Sequence, residues 1–159
     1  TFQEFHDPIL IPSQSRGIMV LLRKSCPFKL VKCKDVTLNC LSVLLNSASH
    51  QELEIAFVYN PNDEADKISN LSKALDQLFS NGCKNQLVIR DYNTSLNPEL
   101  DYVDYTEDNH KVSREFLHGV QEDGLFIDVY RLLNLYDLSY IWKVHNSQKR
   151  STIYLAFIN

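Results

Sequence analysis

The carboxylate of Asp91 and the carboxamide of Asn93 follow the short apolar run of residues 87–89. Such a run is typical of a buried strand, and side chains two positions apart on a strand point the same way, so both groups can face one reacting centre. A carboxylate only accepts hydrogen bonds, whereas an amide also donates them. Asp91 can therefore hold an attacking water while Asn93 donates to a phosphate oxygen, as phosphodiester hydrolysis requires. The alternative interpretation is a turn, since Asp and Asn side chains commonly bond the backbone two residues on.

The composition predicts one folded domain over residues 1–159. A chain of 159 residues, of which 44% are hydrophobic, is long enough to bury one core and too short for two ordinary domains. Its formal net charge of −4 counts against a strong non-specific nucleic-acid binder, because such binding requires dense Lys and Arg. Any affinity for a polyanion must therefore be local.

The four cysteines form no CxxC pair, and the spacing of Cys26, Cys33 and Cys40 fits no zinc pattern. We therefore expect reduced, mostly buried thiols and an intracellular protein, nuclear or cytoplasmic. The sequence contains no apolar run of membrane-spanning length, and its first residues lack the pattern of a signal peptide. These features predict a soluble protein that is not secreted. Because position 1 is Thr, the chain is expected to begin inside a longer reading frame.

The apolar pattern predicts an antiparallel meander followed by a helix. Four strand-like runs occupy residues 17–22, 28–36, 38–45 and 53–59. The period then becomes helical, and Gly82 is placed to end the helix in the left-handed conformation. The apolar positions at helical spacing are Ile68, Leu71, Leu75, Leu78 and Phe79.

The second half of the sequence predicts a loop, a helix and a hairpin. Residues 94–111 are polar and acidic, which indicates an exposed loop. Ser113 is predicted to cap a helix that ends at Gly124 and buries Phe116, Leu117 and Val120. Residues 139–144 and 153–158 are predicted to form the two strands of a hairpin.

Seven short motifs occur in an order that resembles one known superfamily. They are Phe2-Gln3-Glu4-Phe5-His6, Arg16-Gly17-Ile18-Met19-Val20-Leu21, Val58-Tyr59-Asn60-Pro61-Asn62, Ile89-Arg90-Asp91-Tyr92-Asn93, Ser113-Arg114-Glu115-Phe116-Leu117, Tyr140-Ile141-Trp142 and Ser151-Thr152-Ile153-Tyr154. This succession resembles the endonuclease/exonuclease/phosphatase superfamily, and within it the apurinic-endonuclease-like domain of LINE-type (non-LTR) retrotransposons. There the pieces read roughly LQETH, RGVAIL, VYAPN, GDFN, SRELL, YTW and SRIDY. The likeness covers nearly the whole chain.

The resemblance implies a DNase I-like α/β fold, in which two mixed β-sheets form a two-layer sandwich flanked by helices. The meander of residues 17–59 would belong mainly to one sheet, and the strands around residues 87–91, 139–144 and 152–158 to the other. The ends of the motif strands would then converge at one end of the sandwich. The resemblance also implies that this chain lacks the family's first strand and its C-terminal strand, so the fold would be incomplete.

The resemblance also assigns roles to four residues. Glu4 matches the acid that binds the catalytic magnesium, and Asp91 matches the residue that orients or deprotonates the attacking water. Asn93 matches the amide that holds the water and the phosphate, and Tyr59 matches a tyrosine near the scissile phosphate. Without the resemblance, Glu4 reads as a surface acid and Tyr59 as an aromatic at the edge of the core.

Several positions depart from the family pattern. Tyr154 stands where the family has an aspartate, and Ile141 where it has a threonine. Arg90 and Tyr92 replace a glycine and a phenylalanine beside the expected catalytic aspartate. In addition, none of the five histidines lies in the family's Ser-Asp-His motif. These departures predict a degenerate site that binds magnesium or manganese weakly, if at all.

Three functions remain open from the sequence. The first is a magnesium-dependent endonuclease-like domain of retrotransposon origin with DNA as its ancestral substrate, now weak or inactive. The second is a catalytically inactive folded remnant or binding module. The third is a phosphatase of the same superfamily. The first function would place a reverse transcriptase domain downstream in the parent polypeptide. No membrane partner is expected, and exposed strand edges would favour self-association.

The expected lack of outer strands leads to a prediction about stability. A longer chain that includes the flanking strands should melt at a higher temperature and stay more soluble than residues 1–159, because unpaired strand edges template association. Differential scanning calorimetry and size-exclusion chromatography of both chains measure this. Equal melting temperatures and monodisperse behaviour of both chains would contradict it.

Overall fold

The computed structural model describes residues 9–11, 18–91, 94, 96–101, 110–123, 127–134, 142–143, 150–151 and 154–158. Strands and helices account for most of this part of the chain. The strands are β1 Ile9–Ile11, β2 Ile18–Val20, β3 Phe28–Thr37, β4 Cys40–Ser47, β5 Glu52–Tyr59, β6 Gln86–Asp91, β7 Ile127–Asp128, β8 Trp142–Lys143, β9 Arg150–Ser151 and β10 Tyr154–Ile158. The helices are α1 Glu64–Ser80, α2 Pro98–Asp101, α3 Lys111–Glu122 and α4 Val129–Leu133.

A six-stranded mixed sheet with the order β3-β4-β5-β6-β10-β7 forms the centre of the described structure. The pairs β3–β4 and β4–β5 are antiparallel, whereas β5 and β6 are parallel. Helix α1 connects these two parallel strands, because a parallel pair needs a long crossover connection. Strand β10 then pairs antiparallel with both β6 and β7.

The two faces of this sheet bury two separate apolar clusters. Alternate strand residues point to opposite faces, so neighbouring positions on β4 enter different clusters. On one face, Cys40, Ala56, Val58 and Val88 pack with residues of α1 and α3. On the other face, Leu41, Val43 and Leu45 pack with residues that include Ile18 and Val20. The antiparallel pair β1–β2 therefore forms a second layer against the face opposite the helices.

Helix α1 has clear signals at both ends. The side chain of Asp63 accepts a hydrogen bond from the Asp66 backbone N–H at 3.1 Å, which caps the first turn. At the other end, Gly82 has a φ of +68°, the left-handed conformation that commonly follows a helix. The buried side chains of the helix are Lys67, Leu71, Ala74, Leu75 and Leu78. The predicted helix and the role of Gly82 are both confirmed.

The α/β fold class is confirmed, but the predicted assignment of strands to sheets is wrong. Strands β3, β4 and β5 share one sheet with β6 and β10. The reason is the β5–α1–β6 crossover, which returns the chain beside the strand it left. The predicted hairpin is also wrong, because β8 pairs with β9 and β10 pairs with β6. The apolar run of β10 suits an interior strand that has a partner on each side.

Three local predictions are corrected by the structure. Ser113 is not the N-cap of α3, because the helix begins at Lys111 after His110 and Ser113 is buried within it. The predicted loop of residues 94–111 contains the short helix α2 and two buried residues, Thr94 and Leu96. All four cysteines are free, as expected, but of these only Cys40 is buried.

Along the described segments, no helix is long and apolar enough to cross a membrane.

The packing of α1 on the sheet leads to a prediction. Leu78 is 0% exposed in the cluster between α1 and the sheet, so Leu78→Ala should lower the free energy of unfolding by about 2–5 kcal/mol. Leu38 is 76% exposed, so Leu38→Ala should change it by less than about 0.5 kcal/mol. Urea unfolding followed by circular dichroism measures both. Equal losses in the two variants would contradict this packing.

Candidate functional site

Three of the positions singled out from the sequence lie side by side across the central sheet. Tyr59, the last residue of β5, is the register partner of Asp91, the last residue of β6. Asp91 is in turn the partner of Tyr154, the first residue of β10. Adjacent strands lie about 4.8 Å apart, so the row spans only about 10 Å. We refer to Tyr59, Asp91 and Tyr154 as the register row.

The register row lies at a rim of the sheet where polar side chains are commonly presented. The carboxyl ends of neighbouring parallel strands meet at one edge, which is where open α/β sheets place their ligands. Tyr59 is half-buried, and its backbone N–H donates to the carbonyl of Asn39 at 2.9 Å, which ties the end of β5 to the β3–β4 turn. Glu4, Asn93 and Ile141 lie outside the described residues, so the convergence of Glu4 and Asn93 on this row stays a prediction.

The chain is anchored soon after the register row by Thr94. This residue is 0% exposed, and its hydroxyl lies 2.9 Å from the hydroxyl of Ser113 on α3. The Thr94 hydroxyl also accepts a hydrogen bond from the Lys67 ammonium of α1 at 3.3 Å. Thr94 follows Asn93 directly, so both helices fix where the predicted catalytic segment must end.

An ion pair between the buried Lys67 and the partly exposed Glu64 supports this anchor. The side chain of Lys67 is 0% exposed, and its ammonium donates to Glu64 Oε1 at 2.8 Å. It also lies 2.7 Å from Nδ1 of His110. Glu64 Oε2 accepts from the Ser113 backbone N–H at 2.9 Å, and Oε1 accepts from the Ser113 hydroxyl at 3.1 Å. We refer to Glu64, Lys67, Thr94, His110 and Ser113 as the anchor cluster.

The electrostatics of the anchor cluster favour an ionised Glu64. Partial burial alone would raise the pKa of this carboxyl group, but the hydrogen bonds from Lys67, Ser113 and His110 outweigh it and lower the pKa from an ordinary 4.5 to about 2. The carboxylate therefore stays charged at any ordinary pH. Because removing a charge from water is costly, each charge of this pair needs the other.

The anchor cluster contains the residue types of a catalytic triad, but its hydrogen bonds differ from those of a triad. Ser, His and Glu side chains form nucleophilic triads in which the hydroxyl bonds the His ring. Here the Ser113 hydroxyl bonds the Glu64 carboxylate and the backbone carbonyl of His110. Ser113 is also buried, so a substrate has no access to it. The anchor cluster positions the chain, and its hydrogen bonds are not those of a nucleophilic triad.

Sequence reasoning missed the anchor cluster, although one signal pointed to it. Lys67 lies four residues before Leu71, on the same helical stripe as the apolar positions of α1. A lysine on a buried stripe requires an anionic partner, and Glu64 at the i−3 position is the nearest one on the helix. The contacts to His110 and Ser113 depend on tertiary packing and carry no local signal.

The described residues do not form a metal site by themselves. Within these ranges, no group of three or more His, Cys, Asp or Glu side chains could hold a metal ion. Asp91 is the one acidic position of the register row, whereas magnesium prefers several oxygen ligands. The acid that the sequence resemblance assigns to magnesium, Glu4, lies outside the described residues.

Comparison with known proteins shows a shared fold. No protein-family model matches the sequence, and no curated protein matches it either. Among solved structures, the catalytic domain of Xenopus laevis APE2 is similar with a TM-score of 0.70 and 15% identity, covering 100% of this chain and 67% of that one. An endonuclease/exonuclease/phosphatase family protein from Bacteroides thetaiotaomicron is similar with a TM-score of 0.68 and 14% identity, covering 96% and 60%.

A third similar structure is D. rerio TDP2 complexed with a single-strand DNA product, with a TM-score of 0.64 and 13% identity. The match covers 98% of this chain and 62% of that one. This chain therefore spans about 60–67% of the length of the three structures. The expected DNase I-like α/β fold is confirmed by these matches.

The pairing in the anchor cluster predicts a large effect of one substitution. Glu64→Gln leaves the Lys67 ammonium buried without its carboxylate, so it should lower the free energy of unfolding by about 3 kcal/mol. Glu115→Gln on α3 is the matched control, because its carboxylate is exposed and lies 3.8 Å from Lys111. That change should cost less than about 0.5 kcal/mol. Urea unfolding at pH 7 compares the two.

The stability difference between wild type and Glu64→Gln should also depend on pH. A carboxyl group whose pKa is lowered by folding stabilises the fold above its unfolded pKa, and this stabilisation is lost as pH falls toward the folded pKa. The difference in stability between wild type and Glu64→Gln should therefore be full above about pH 5 and shrink as pH falls from 4.5 toward about 2. A difference that stays constant between pH 7 and pH 3 would show that the carboxylate does not carry the effect.

Proposed function

We propose that this chain is part of an endonuclease/exonuclease/phosphatase-type domain that descends from a phosphodiester-cleaving enzyme and has a degenerate site. The observation that carries the proposal is the register row. Tyr59 and Asp91 are positions to which the sequence resemblance assigns catalytic roles, and Tyr154 is the position at which it expects a carboxylate. These three positions are separated by tens of residues in the sequence but adjacent across β5, β6 and β10.

The proposed chemistry is attack of water on a phosphodiester. Asp91 would orient or deprotonate the water, and Asn93 would hold the water and a phosphate oxygen. Tyr59 would stand beside the scissile phosphate. A magnesium ion, when bound, would neutralise phosphate charge and help the leaving oxygen. Glu4 would hold that ion, and we expect weak binding because Asp91 is the one acidic position of the register row.

Tyr154 is the main reason to propose a degenerate site. It is the register partner of Asp91, at the position where the family pattern has an aspartate. A tyrosine side chain carries a phenol hydroxyl in place of the carboxylate. Replacing a carboxylate with a phenol beside Asp91 removes negative charge that would attract a divalent cation. Groups that act as a catalytic unit lose most of their effect when one is removed.

DNA is the proposed ancestral substrate, with the LINE-type endonuclease domain as the proposed origin. The likeness of the fold to the APE2 catalytic domain and to TDP2 with its single-strand DNA product supports a nucleic-acid phosphodiester as substrate class. The same proposed origin also predicts a downstream reverse transcriptase domain and a nuclear or cytoplasmic location. A folded remnant without activity and a phosphatase of the same superfamily are the alternatives that the assays below separate.

The proposal predicts little nuclease activity. Nicking of supercoiled plasmid by residues 1–159 with magnesium should stay near the background, and Tyr154→Asp alone should not restore it. Asp91→Ala should then change nothing measurable, as should Asp76→Ala on the exposed side of α1, the matched control. Agarose-gel nicking assays measure all four proteins, and a p-nitrophenyl phosphate assay tests for phosphatase activity.

Two results would contradict this proposal in different ways. Robust magnesium-dependent nicking that Asp91→Ala abolishes and Asp76→Ala preserves would show an intact nuclease site. Phosphate release that depends on Asp91, without nicking, would favour the phosphatase. Absence of both activities in a folded protein is the expected result.

A further inference from the structure

A cavity of about 220 Å³ lies between the helix-covered face of β3, β4 and β5 and the C-terminal end of α1. A water molecule occupies about 30 Å³ of liquid, so this space is large enough for a small organic molecule. Glu54 contributes to its wall near the beginning of β5, whereas Tyr59 of the register row ends the same strand. The two residues are about 16 Å apart along the strand, so the cavity is separate from the candidate active site.

The side chain of Glu54 is the unusual feature of this cavity. The residue is only 1% exposed. Its Oε1 accepts hydrogen bonds from the Ser42 hydroxyl at 2.7 Å and from the Asn81 amide at 2.5 Å. Its Oε2 is buried and has no hydrogen-bond partner among the residues that the structure describes. A buried carboxylate oxygen without a donor is unfavourable, so this oxygen requires a donor beyond those that the described residues supply.

Glu54 also has no cationic partner within the described segments. Ion pairs among the described residues include Lys67 with Glu64, His110 with Glu64, and Lys111 with Glu115, and none of these involves Glu54. Lys34 contributes to the same cavity, but its ammonium donates to the side-chain carbonyl of Gln77. Since buried charges in proteins are normally paired, the missing cation is the group that a ligand can supply.

The charges around the cavity restrict the kind of ligand. Lys32 and Lys34 contribute two ammonium groups to the wall, and Glu52 and Glu54 contribute two carboxylates, of which that of Glu54 is buried. A divalent cation fits poorly, because it needs several oxygen ligands and no group of three or more acidic, Cys or His side chains in the described structure is arranged to hold a metal ion. A simple anion would meet the Glu54 carboxylate. A molecule that carries both a positive and a negative charge can pair with the glutamate carboxylates at one end of the cavity and with the lysine ammonium groups at the other.

We propose that this cavity binds a small zwitterion, with its ammonium group toward the carboxylates of Glu52 and Glu54 and its anionic group toward Lys32 and Lys34. An ammonium group has three donors and no acceptor, which matches an acceptor oxygen that lacks a partner. A hydrogen bond between charged groups is stronger than one between neutral groups, so both ends contribute to affinity. The proposal does not depend on the proposed function of the register row.

Binding of simple amino acids tests the proposal directly. The probes are glycine, β-alanine, γ-aminobutyrate and 5-aminovalerate, compared with n-butylamine, butyrate and magnesium chloride. Saturation-transfer NMR and calorimetry with the full 159-residue chain measure each dissociation constant. At least one of the four zwitterions should bind about tenfold more tightly than n-butylamine and butyrate. No binding by any zwitterion, equal binding of n-butylamine, or tighter binding of magnesium would overturn the proposal.

Substitutions at the two ends of the cavity test the predicted orientation. Glu54→Gln keeps an acceptor for Ser42 and Asn81 but removes the charge, so it should weaken zwitterion binding at least about tenfold. Lys34→Met at the exposed end should weaken it by a similar factor. Lys29→Met is the matched control, because Lys29 is exposed on the same strand and does not line the cavity. Equal effects of Lys29→Met and Lys34→Met would contradict the assignment.

Cys83 gives a second measurement that needs no substitution. It contributes to the cavity wall, whereas the half-buried Cys26 does not. The bound zwitterion should slow alkylation of Cys83 by iodoacetamide and leave the rate at Cys26 unchanged, as peptide mass spectrometry can show. If Glu54→Gln fails to fold, the protection of Cys83 from iodoacetamide and the Lys34→Met variant still test whether the cavity binds the zwitterion. Unchanged alkylation of Cys83 at saturating zwitterion would place the binding elsewhere.

Discussion

The buried ammonium group of Lys67 is the constraint on which the arrangement of the helices depends. A charge removed from water must be paired and hydrogen-bonded, and Lys67 meets this requirement with Glu64 and Thr94, while Nδ1 of His110 also lies 2.7 Å from its ammonium group. These partners come from the first turn of α1, from the segment after β6 and from the residue before α3. One charge therefore links three elements that are distant in the sequence. Apolar contacts alone would allow α3 to shift along α1, whereas hydrogen bonds have fixed lengths and directions.

The central sheet explains why the anchor cluster lies beside the register row. Because α1 is the crossover between parallel strands, it begins just after β5 ends and returns the chain to the beginning of β6. The N-terminal turn of α1 is thus close to the carboxyl ends of both strands, where Tyr59 and Asp91 lie. The carboxyl end of β6 leads directly to Thr94, and the first turn of α1 carries the pair that holds it. Scaffold and candidate site therefore share one rim of the sheet.

Local signals in the sequence predicted elements better than their arrangement. The helical spacing from Ile68 to Phe79 and the glycine at position 82 have local causes, and both were confirmed. The strand runs of β2 to β5 were also recognised, and the predicted antiparallel meander is confirmed for β3, β4 and β5. Strand β1 was missed, and so was the parallel pairing of β5 with β6, which depends on contacts far apart in the sequence. The placement of β10 beside β6 is an example, since the nearer run at β8 offered a plausible hairpin. The buried roles of Lys67 and Ser113 likewise arise from tertiary contacts.

Within the register row, strand pairing and metal-assisted catalysis favour different residues at position 154. Two carboxylates directly opposite each other on neighbouring strands repel, so an aspartate beside Asp91 would need a cation between them. Tyrosine favours strands and aspartate disfavours them, so Tyr154 at this position suits the pairing of β10 with β6 and removes the repulsion. Tyr154 also offers no carboxylate oxygen to a divalent cation. A chain under selection for folding alone would therefore keep Tyr154, whereas one under selection for metal-assisted hydrolysis would not. On this argument, the residue that suits the pairing of β10 with β6 differs from the residue that a divalent cation would need beside Asp91.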